Sequence, residues 1–330
     1  MPSPSAPTVA VYGAYGHTAQ FVVAALRRRD VALVLSGRDA GRLHALAAHH
    51  PGTRVRPAAL DSPADLDRAL DGVVAVVNCA GPFGDTPPAL VDAALRAGAH
   101  YLDVAGETLV AWRMFDGPEP PAGVLVAPAL GFFGALGDLL ATAAYGSGPP
   151  AGAVTVAVAL DGWVPTRGSR LAGKLRAGRR VVFTGGRLHL RSGDTPPPTA
   201  TWTFPPPFGA QEAETEFPTA DVVTIARHLP TQEIPTYLYT APTATEDDTN
   251  AHRRSEQRFV VEVAIHRGGH EHRVSASGRD IYAFSAAMAA EATTRVLQGN
   301  VKATGLVTAG QAFAAADFLR TLPLDHLNLS

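Results

Sequence analysis

Through the first 130 residues, short apolar runs rich in valine and leucine alternate with alanine-rich stretches of helical spacing. The period switches predict strands over residues 9–12, 31–36 and, more weakly, 55–60, each followed by a helix, over 19–29, 40–49 and 63–70. Ser62 suits the N-cap of the third helix. Residues 73–77 (VVAVV) form a continuous β-branched run without charge, as a central strand covered on both faces requires. A helix over 87–97, closed by Gly98 as a C′ residue, then leads to strands over 101–104 and 124–127. Such alternation calls for a parallel, doubly wound sheet.

Beyond residue 131 the texture changes. A helix is expected over 137–145, then longer strands over 154–160, 180–190 and 259–266, separated by loops rich in proline and glycine such as 195–200 and 204–209. Few helices intervene, which fits a mainly antiparallel sheet. Two alanine-rich helices follow over 286–297 and 311–319. The expected fold is therefore α/β: a Rossmann doubly wound parallel sheet with a second α+β domain built on a mainly antiparallel sheet. Residues 1–130 would form the dinucleotide-binding domain, with the C-terminal helices of 280–330 packing back on it. Residues 131–279 would form a substrate or oligomerisation domain.

Composition narrows the function classes. Hydrophobic residues make up 46% of the 330 and charged residues 18%, enough to build a sizeable core. The net charge of −2 gives no basic excess for nucleic acid or an anionic membrane. No apolar stretch reaches eighteen residues, so no membrane-spanning helix is expected. Cys79 is the sole cysteine, which excludes an intrachain disulfide and fits a reducing compartment. Residues 1–5 lack the basic start and apolar run of a signal peptide. The expected setting is cytoplasmic. The expected partners are a small-molecule substrate and a second copy of the chain as a homodimer, with no nucleic acid, membrane or metal.

After the first strand comes Gly13-Ala14-Tyr15-Gly16-His17-Thr18. Two glycines three apart, between a strand and a helix, let backbone turn sharply and approach a diphosphate. The amide groups opening the helix would then donate to its oxygens. The full G-x-G-x-x-G fingerprint is absent, because Val11 stands at its first glycine, and a tight βα turn alone would also use glycines. The second strand ends in Ser36-Gly37-Arg38, where an NAD site would carry an acid. Arg38 instead offers a guanidinium to a 2′-phosphate, Ser36 adds a neutral hydrogen bond, and Asp39 works against both. The alternative is a surface arginine starting a helix. The fourth strand ends in Asn78-Cys79-Ala80-Gly81-Pro82-Phe83. Ligands lie beyond such strand ends. Gly81 admits backbone near a sugar, Pro82 fixes the turn, and Phe83 could pack near a nicotinamide. Asn78 could bond the phosphate loop instead of a ligand.

These segments, followed by Tyr101-Leu102-Asp103-Val104-Ala105-Gly106-Glu107, together resemble the NADP-binding domain of saccharopine dehydrogenase-like oxidoreductases. That family includes saccharopine reductases and trans-acting enoyl reductases. The resemblance covers residues 9 to about 140; further on, Gly131-Phe132-Phe133-Gly134 and Gly137-Asp138-Leu139 are similar to a family turn and helix start. It implies NADP(H) on Gly13, Ala14, Tyr15, Gly16, His17, Thr18, Arg38, Asn78, Gly81 and Pro82, to which position adds Ser36, Gly37, Ala80 and Phe83. It does not imply a substrate. Arg167, Arg170, Lys174 and Arg176 are as consistent with a solvated loop as with a pocket for carboxylates.

Tyr101, Asp103 and Glu107 are the candidates for catalysis, at the end of the fifth strand where a nicotinamide should sit. Alternation places Tyr101 and Asp103 on one face. The competing reading makes Asp103 a loop cap and Glu107 a helix start. His266, His270 and His272 flank Gly268-Gly269, which fits an exposed hairpin better than a metal site. Trp163, Trp202, Phe204 and Phe208 line a substrate pocket or simply a core. The expected function is NADPH-dependent reduction of a C=C, C=N or C=O bond. The rival is an NADP(H)-binding sensor or scaffold without turnover.

Overall fold

In the computed structural model, residues 7–84, 86–176, 178–193, 196–241 and 255–330 are described. Residues 1–5, the start of the 195–200 loop and the Arg176 side chain lie outside that description.

The first unit runs β1 (Thr8–Tyr12), α1 (His17–Arg27), β2 (Ala32–Gly37), α2 (Ala40–Ala48), β3 (Arg54–Pro57), α3 (Pro63–Leu70), β4 (Ala75–Asn78), α4 (Thr86–Arg96), β5 (His100–Asp103), α5 (Thr108–Phe115) and β6 (Leu125–Ala127). Its strands pair in the order β6-β5-β4-β1-β2-β3, all parallel. The two-residue period of β1 divides its side chains between two layers. Val9 and Val11 join the core beneath α1, while Ala10 and Tyr12 pack with Leu66, Leu70, Leu90 and Ala93 of α3 and α4. The valine run starts its strand later than the pattern suggests: Val74 is exposed and the ladder begins at Ala75. Ser62 caps α3, accepting from Asp65 N at 3.3 Å.

The second unit contains α6 (Gly137–Tyr145), β7 (Ala151–Asp161), α7 (Arg167–Arg176), β8 (Arg179–Thr184), β9 (Arg187–Ser192), β10 (Thr199–Phe204), β11 (Gly209–Thr215), α8 (Asp221–Ala226), β12 (Thr231–Glu233), β13 (Thr236–Thr240), β14 (Arg258–Arg267) and β15 (His270–Arg279). The expected 180–190 strand is a hairpin, β8–β9, which forms its own two-stranded sheet. Gly185 and Gly186 sit at φ +57° and +75°, the left-handed pair that a tight hairpin turn demands. The large sheet is mainly antiparallel, but β12 and β13 run parallel to β7. The chain then returns through α9 (Ile281–Leu297), β16 (Gly305–Leu306), α10 (Ala309–Ala312), α11 (Ala315–Arg320) and β17 (His326–Asn328). The expected 311–319 helix is split, because Phe313 between α10 and α11 is extended. β16 extends the first sheet beside β6, and β17 extends the second beside β15.

Helix α9 packs along α1, and α6 packs under β14 and β15. One apolar core therefore runs from Val9 and Leu26 through Phe284 and Leu139 to Val263 and Phe259. Among the described residues, no helix is long and apolar enough to cross a membrane.

Candidate functional site

Three strand ends meet at Gly13. Its amide and that of Ala14 donate to Ser36 O at 2.9 and 3.1 Å, tying the phosphate loop to β2. Gly13 has φ +73°, and a Cβ there would stand 2.8 Å from Ala80 Cα. A Cβ at Gly16 would meet Gly13 O at 3.1 Å. The loop thus closes on bare backbone, and only glycine fits Gly13 on both counts. Helix α1 begins immediately afterwards with no side-chain cap at Gly16. The first amides of a helix have no intrahelical acceptors and carry the positive end of its dipole. This corner fits a diphosphate.

The end of β2 fits a phosphorylated ribose. Arg38 is exposed. Burial, with help from Tyr15, pushes the Tyr12 phenol up to about 12, while the nearby Arg38 charge pulls it down. Ser36 is wholly buried, and its hydroxyl has no partner. Asp39 turns away, accepting from Arg42 N at 3.0 Å to cap α2, so its carboxylate serves its own helix. Arg42 was not singled out from the sequence. Its guanidinium lies 4.3 Å from the centre of the Tyr15 ring, which itself covers Gly37. The available signal was its place one helical turn after Arg38.

The ends of β4 and β5 are different in kind. Asn78 is wholly buried. Its oxygen accepts from Ala80 N at 3.0 Å, and its amide donates to Tyr101 Oη at 3.0 Å and Thr86 Oγ1 at 3.3 Å. It bonds neither the phosphate loop nor open space, so its part is to shape the Ala80–Pro82 turn. Tyr101 and Asp103 are also fully enclosed. The tyrosine donates to Asp103 Oδ2 at 2.9 Å, and Asp103 Oδ1 accepts from Ala105 N and Ala129 N at 2.9 and 2.8 Å. Ala129 has φ +59°, so the carboxylate holds a strained turn after β6. Burial raises Asp103 to about 6 against the pull of its N–H donors, and burial raises Tyr101 well above an ordinary phenol. Burial likewise pushes the Cys79 thiol up.

Glu107 is the half-buried member of the group. Its carboxylate accepts from Gly106 N at 3.0 Å and Phe83 N at 3.4 Å, bringing together the ends of β4 and β5. Phe83 packs below, with Ala105 and Val110, and leaves Gly81 and Pro82 as the rim. The Glu107 backbone bridges to Thr219, so a loop of the second unit reaches the site. Sequence gave no sign of that approach, because it depends on a pairing between residues far apart in the chain.

Other candidates separate. Trp202, Phe204 and Phe208 cluster with Tyr237 and Tyr239 around Ala157 and Ala159, while Trp163 packs on the main core. His266, His270 and His272 lie on the β14–β15 hairpin, where His266 stands 3.3 Å from Glu271. Arg167 and Lys174 are exposed, and Arg170 donates to Pro165 O at 2.5 Å.

Residues 9–116 match the family model of the saccharopine dehydrogenase NADP binding domain. Comparison with curated proteins finds no match. Among solved structures, apo saccharopine dehydrogenase (L-Glu forming) from Saccharomyces cerevisiae is similar over 96% of both chains, with 14% identity and a TM-score of 0.66. At that identity the likeness concerns the fold. An NADPH-dependent quinone oxidoreductase from Escherichia coli, complexed with NADPH, is similar over 41% of this chain and 52% of its own, at 22% identity and a TM-score of 0.32. Triphenylmethane reductase from Citrobacter sp. is similar over 30% and 37%, at 26% identity and a TM-score of 0.28. The latter two overlaps are too partial to carry an argument. The bare-backbone corner and the acid-free end of β2 agree with the matched domain: residues 9–116 match the saccharopine dehydrogenase NADP binding domain, the chain has the saccharopine dehydrogenase fold, and the two together support an NADP-dependent oxidoreductase.

Proposed function

We propose that this protein reduces a C=C, C=N or C=O bond of a small metabolite with NADPH. The observation that carries the reading is the uncapped start of α1 facing the bare backbone of Gly13 and Gly16. Gly13, Ala14, Tyr15, Gly16, His17 and Thr18 hold the diphosphate. Ser36, Gly37 and Arg38, with Arg42 added from the structure, take the 2′-phosphate. Ala80, Gly81 and Pro82 face the nicotinamide ribose, with Asn78 and Phe83 supporting them from behind. When bound, NADPH supplies a hydride from its nicotinamide ring.

Of the three catalytic candidates, Glu107 is the one not fully buried, and it holds or moves a proton at its carboxylate beside the substrate. Tyr101 and Asp103 act through the turns they fix. Residues 131–279 form the substrate unit, supported by the contact of Thr219 with Glu107. A single free, buried cysteine supports a reducing compartment such as the cytoplasm.

The test is an NADPH fluorescence titration followed by NADPH oxidation assays on enoyl, imine and carbonyl panels, enoyl compounds first. Turnover on one panel, reduced roughly 100-fold in Glu107→Gln with NADPH affinity kept, is the expected result. Tight binding with no turnover on any panel would favour the sensor.

A further inference from the structure

Three helix starts converge beside the dinucleotide corner. α1 and α9 lie side by side and parallel: His17 meets Tyr282 edge to face at 5.1 Å, and about three turns further on Arg29 pairs with Glu291 at 3.4 Å. Helix α9 is capped by Asp280, which accepts from Tyr282 N and Ala283 N. α7, from the second unit, is capped by Thr166, whose hydroxyl accepts from Ser169 N at 3.2 Å. Two of these starts are thus closed by their own side chains, whereas α1 has no side-chain cap.

The Tyr282 hydroxyl joins all three. It accepts from Trp163 Nε1 at 3.2 Å and from Thr166 N at 3.0 Å, and lies 2.8 Å from Ser169 Oγ. With two N–H groups donating to its oxygen, the phenol proton is left for Ser169 Oγ, which can donate on to Thr166 Oγ1 at 3.1 Å. A single phenol therefore fixes a seven-residue stretch of the second unit, residues 163–169, while its ring rests on the first residue of the phosphate helix.

We propose that Tyr282 is a positioning residue: its hydroxyl holds residues 163–169 beside the open end of α1, where they form a wall of the NADPH site on the substrate side. The inference rests on the cofactor reading above. Cofactor at α1 steadies His17, His17 steadies the Tyr282 ring, and the ring's hydroxyl steadies the wall.

Hydrogen exchange of full-length protein tests it, read on peptides covering residues 163–170, with NADPH affinity measured on the same samples by fluorescence. Saturating NADPH slows exchange in this segment of the wild type, whereas adenosine 2′,5′-bisphosphate, which lacks the diphosphate bridge and the nicotinamide, does not. Tyr282→Phe keeps the ring on His17 and removes the hydroxyl. It is expected to speed exchange here about tenfold, as loss of a shared hydrogen-bond acceptor implies. The protection by NADPH disappears and tryptophan-sensitised emission from bound NADPH weakens, while affinity stays within about threefold, since the hydroxyl does not touch the cofactor. Ser169→Ala removes the phenol's acceptor from the other side and moves exchange the same way, which covers the case of a poorly folded Tyr282→Phe. Unchanged exchange in the folded variants, or equal protection by both nucleotides, overturns the proposal. Failure of the wild type to bind NADPH overturns the cofactor reading instead.

Discussion

At the end of β1 the chain offers a ligand its backbone and little else. At the end of β5, two strands away in the same sheet, it offers Tyr101 and Asp103 with their polar atoms already engaged inside the protein. Both are strand ends where α/β folds bind ligands. On the reading proposed above, a site for a diphosphate is made by removing side chains, whereas ionisable side chains at a neighbouring strand end are spent on holding the architecture. Asp103 connects β5 to the strained turn at Ala129, and Asn78 shapes the turn after β4.

The contrast can be broken by substitution. Gly13→Val should have the largest effect, because a side chain there meets Ala80 backbone at a left-handed φ. Strain on the order of 1–3 kcal/mol and a fall in NADPH affinity of at least roughly 100-fold are expected, read by thermal melts and fluorescence titration. Normal affinity in Gly13→Val would show that the corner does not hold the diphosphate.

Asp103→Ala comes next. Two buried N–H groups lose their acceptor, costing about 2–5 kcal/mol in urea unfolding. Asp103→Asn keeps an oxygen for both and should cost about 1 kcal/mol, the bond from Tyr101. The pH dependence separates charge from hydrogen bonding. Burial lifts Asp103 to about 6, above its unfolded value near 3.8, so its contribution is full below the lower value and lost as pH rises through the higher. Asp221, raised by burial to about 6, acts in the same sense. Wild-type stability should therefore fall from pH 4 to 6.5, with Asp103 accounting for on the order of 2–3 kcal/mol. Asp103→Asn should lessen that fall; an identical slope in the variant would mean Asp103 is ionised throughout.

Arg38→Ala should weaken NADPH about 10- to 100-fold and leave NADH nearly unchanged, the size of a charge-assisted bond. Equal losses for both nucleotides would reject its role at the 2′-phosphate. Asp39→Ala should be smallest, losing a helix cap worth about 1 kcal/mol without altering the preference between NADPH and NADH. A gain in NADH affinity there would contradict the direction in which Asp39 faces.

Much of the first unit was legible because its signals are local. Valine runs, glycine spacing and the missing acid after β2 all sit within a few residues of the structure they specify. Asp39 was ambiguous in sequence, since an acid beside Arg38 can face a ribose or cap a helix. The second unit was harder. The Gly185-Gly186 turn is a local signal that a longer apolar pattern masked, and the parallel pairing of β13 with β7 depends on residues about eighty apart. The buried state of Tyr101 was hidden for a related reason: the groups enclosing its hydroxyl come from β4 and from its own strand neighbour Asp103. Tyr282 gave no motif at all, since its partners arrive from α1 and the β7–α7 connection.

The packing of α9 on α1 has a consequence for how the molecule comes to exist. The helix that shields α1 and the strand β16 that flanks β6 are both made after some 150 further residues of the second unit. A nascent chain ending near residue 130 would leave the side of α1 that α9 covers, the side of His17 and Arg29, open to solvent, and would leave an open strand edge at β6. The nucleotide fold is thus finished last, although its code comes first, and a fragment cut there is expected to be sticky and short-lived.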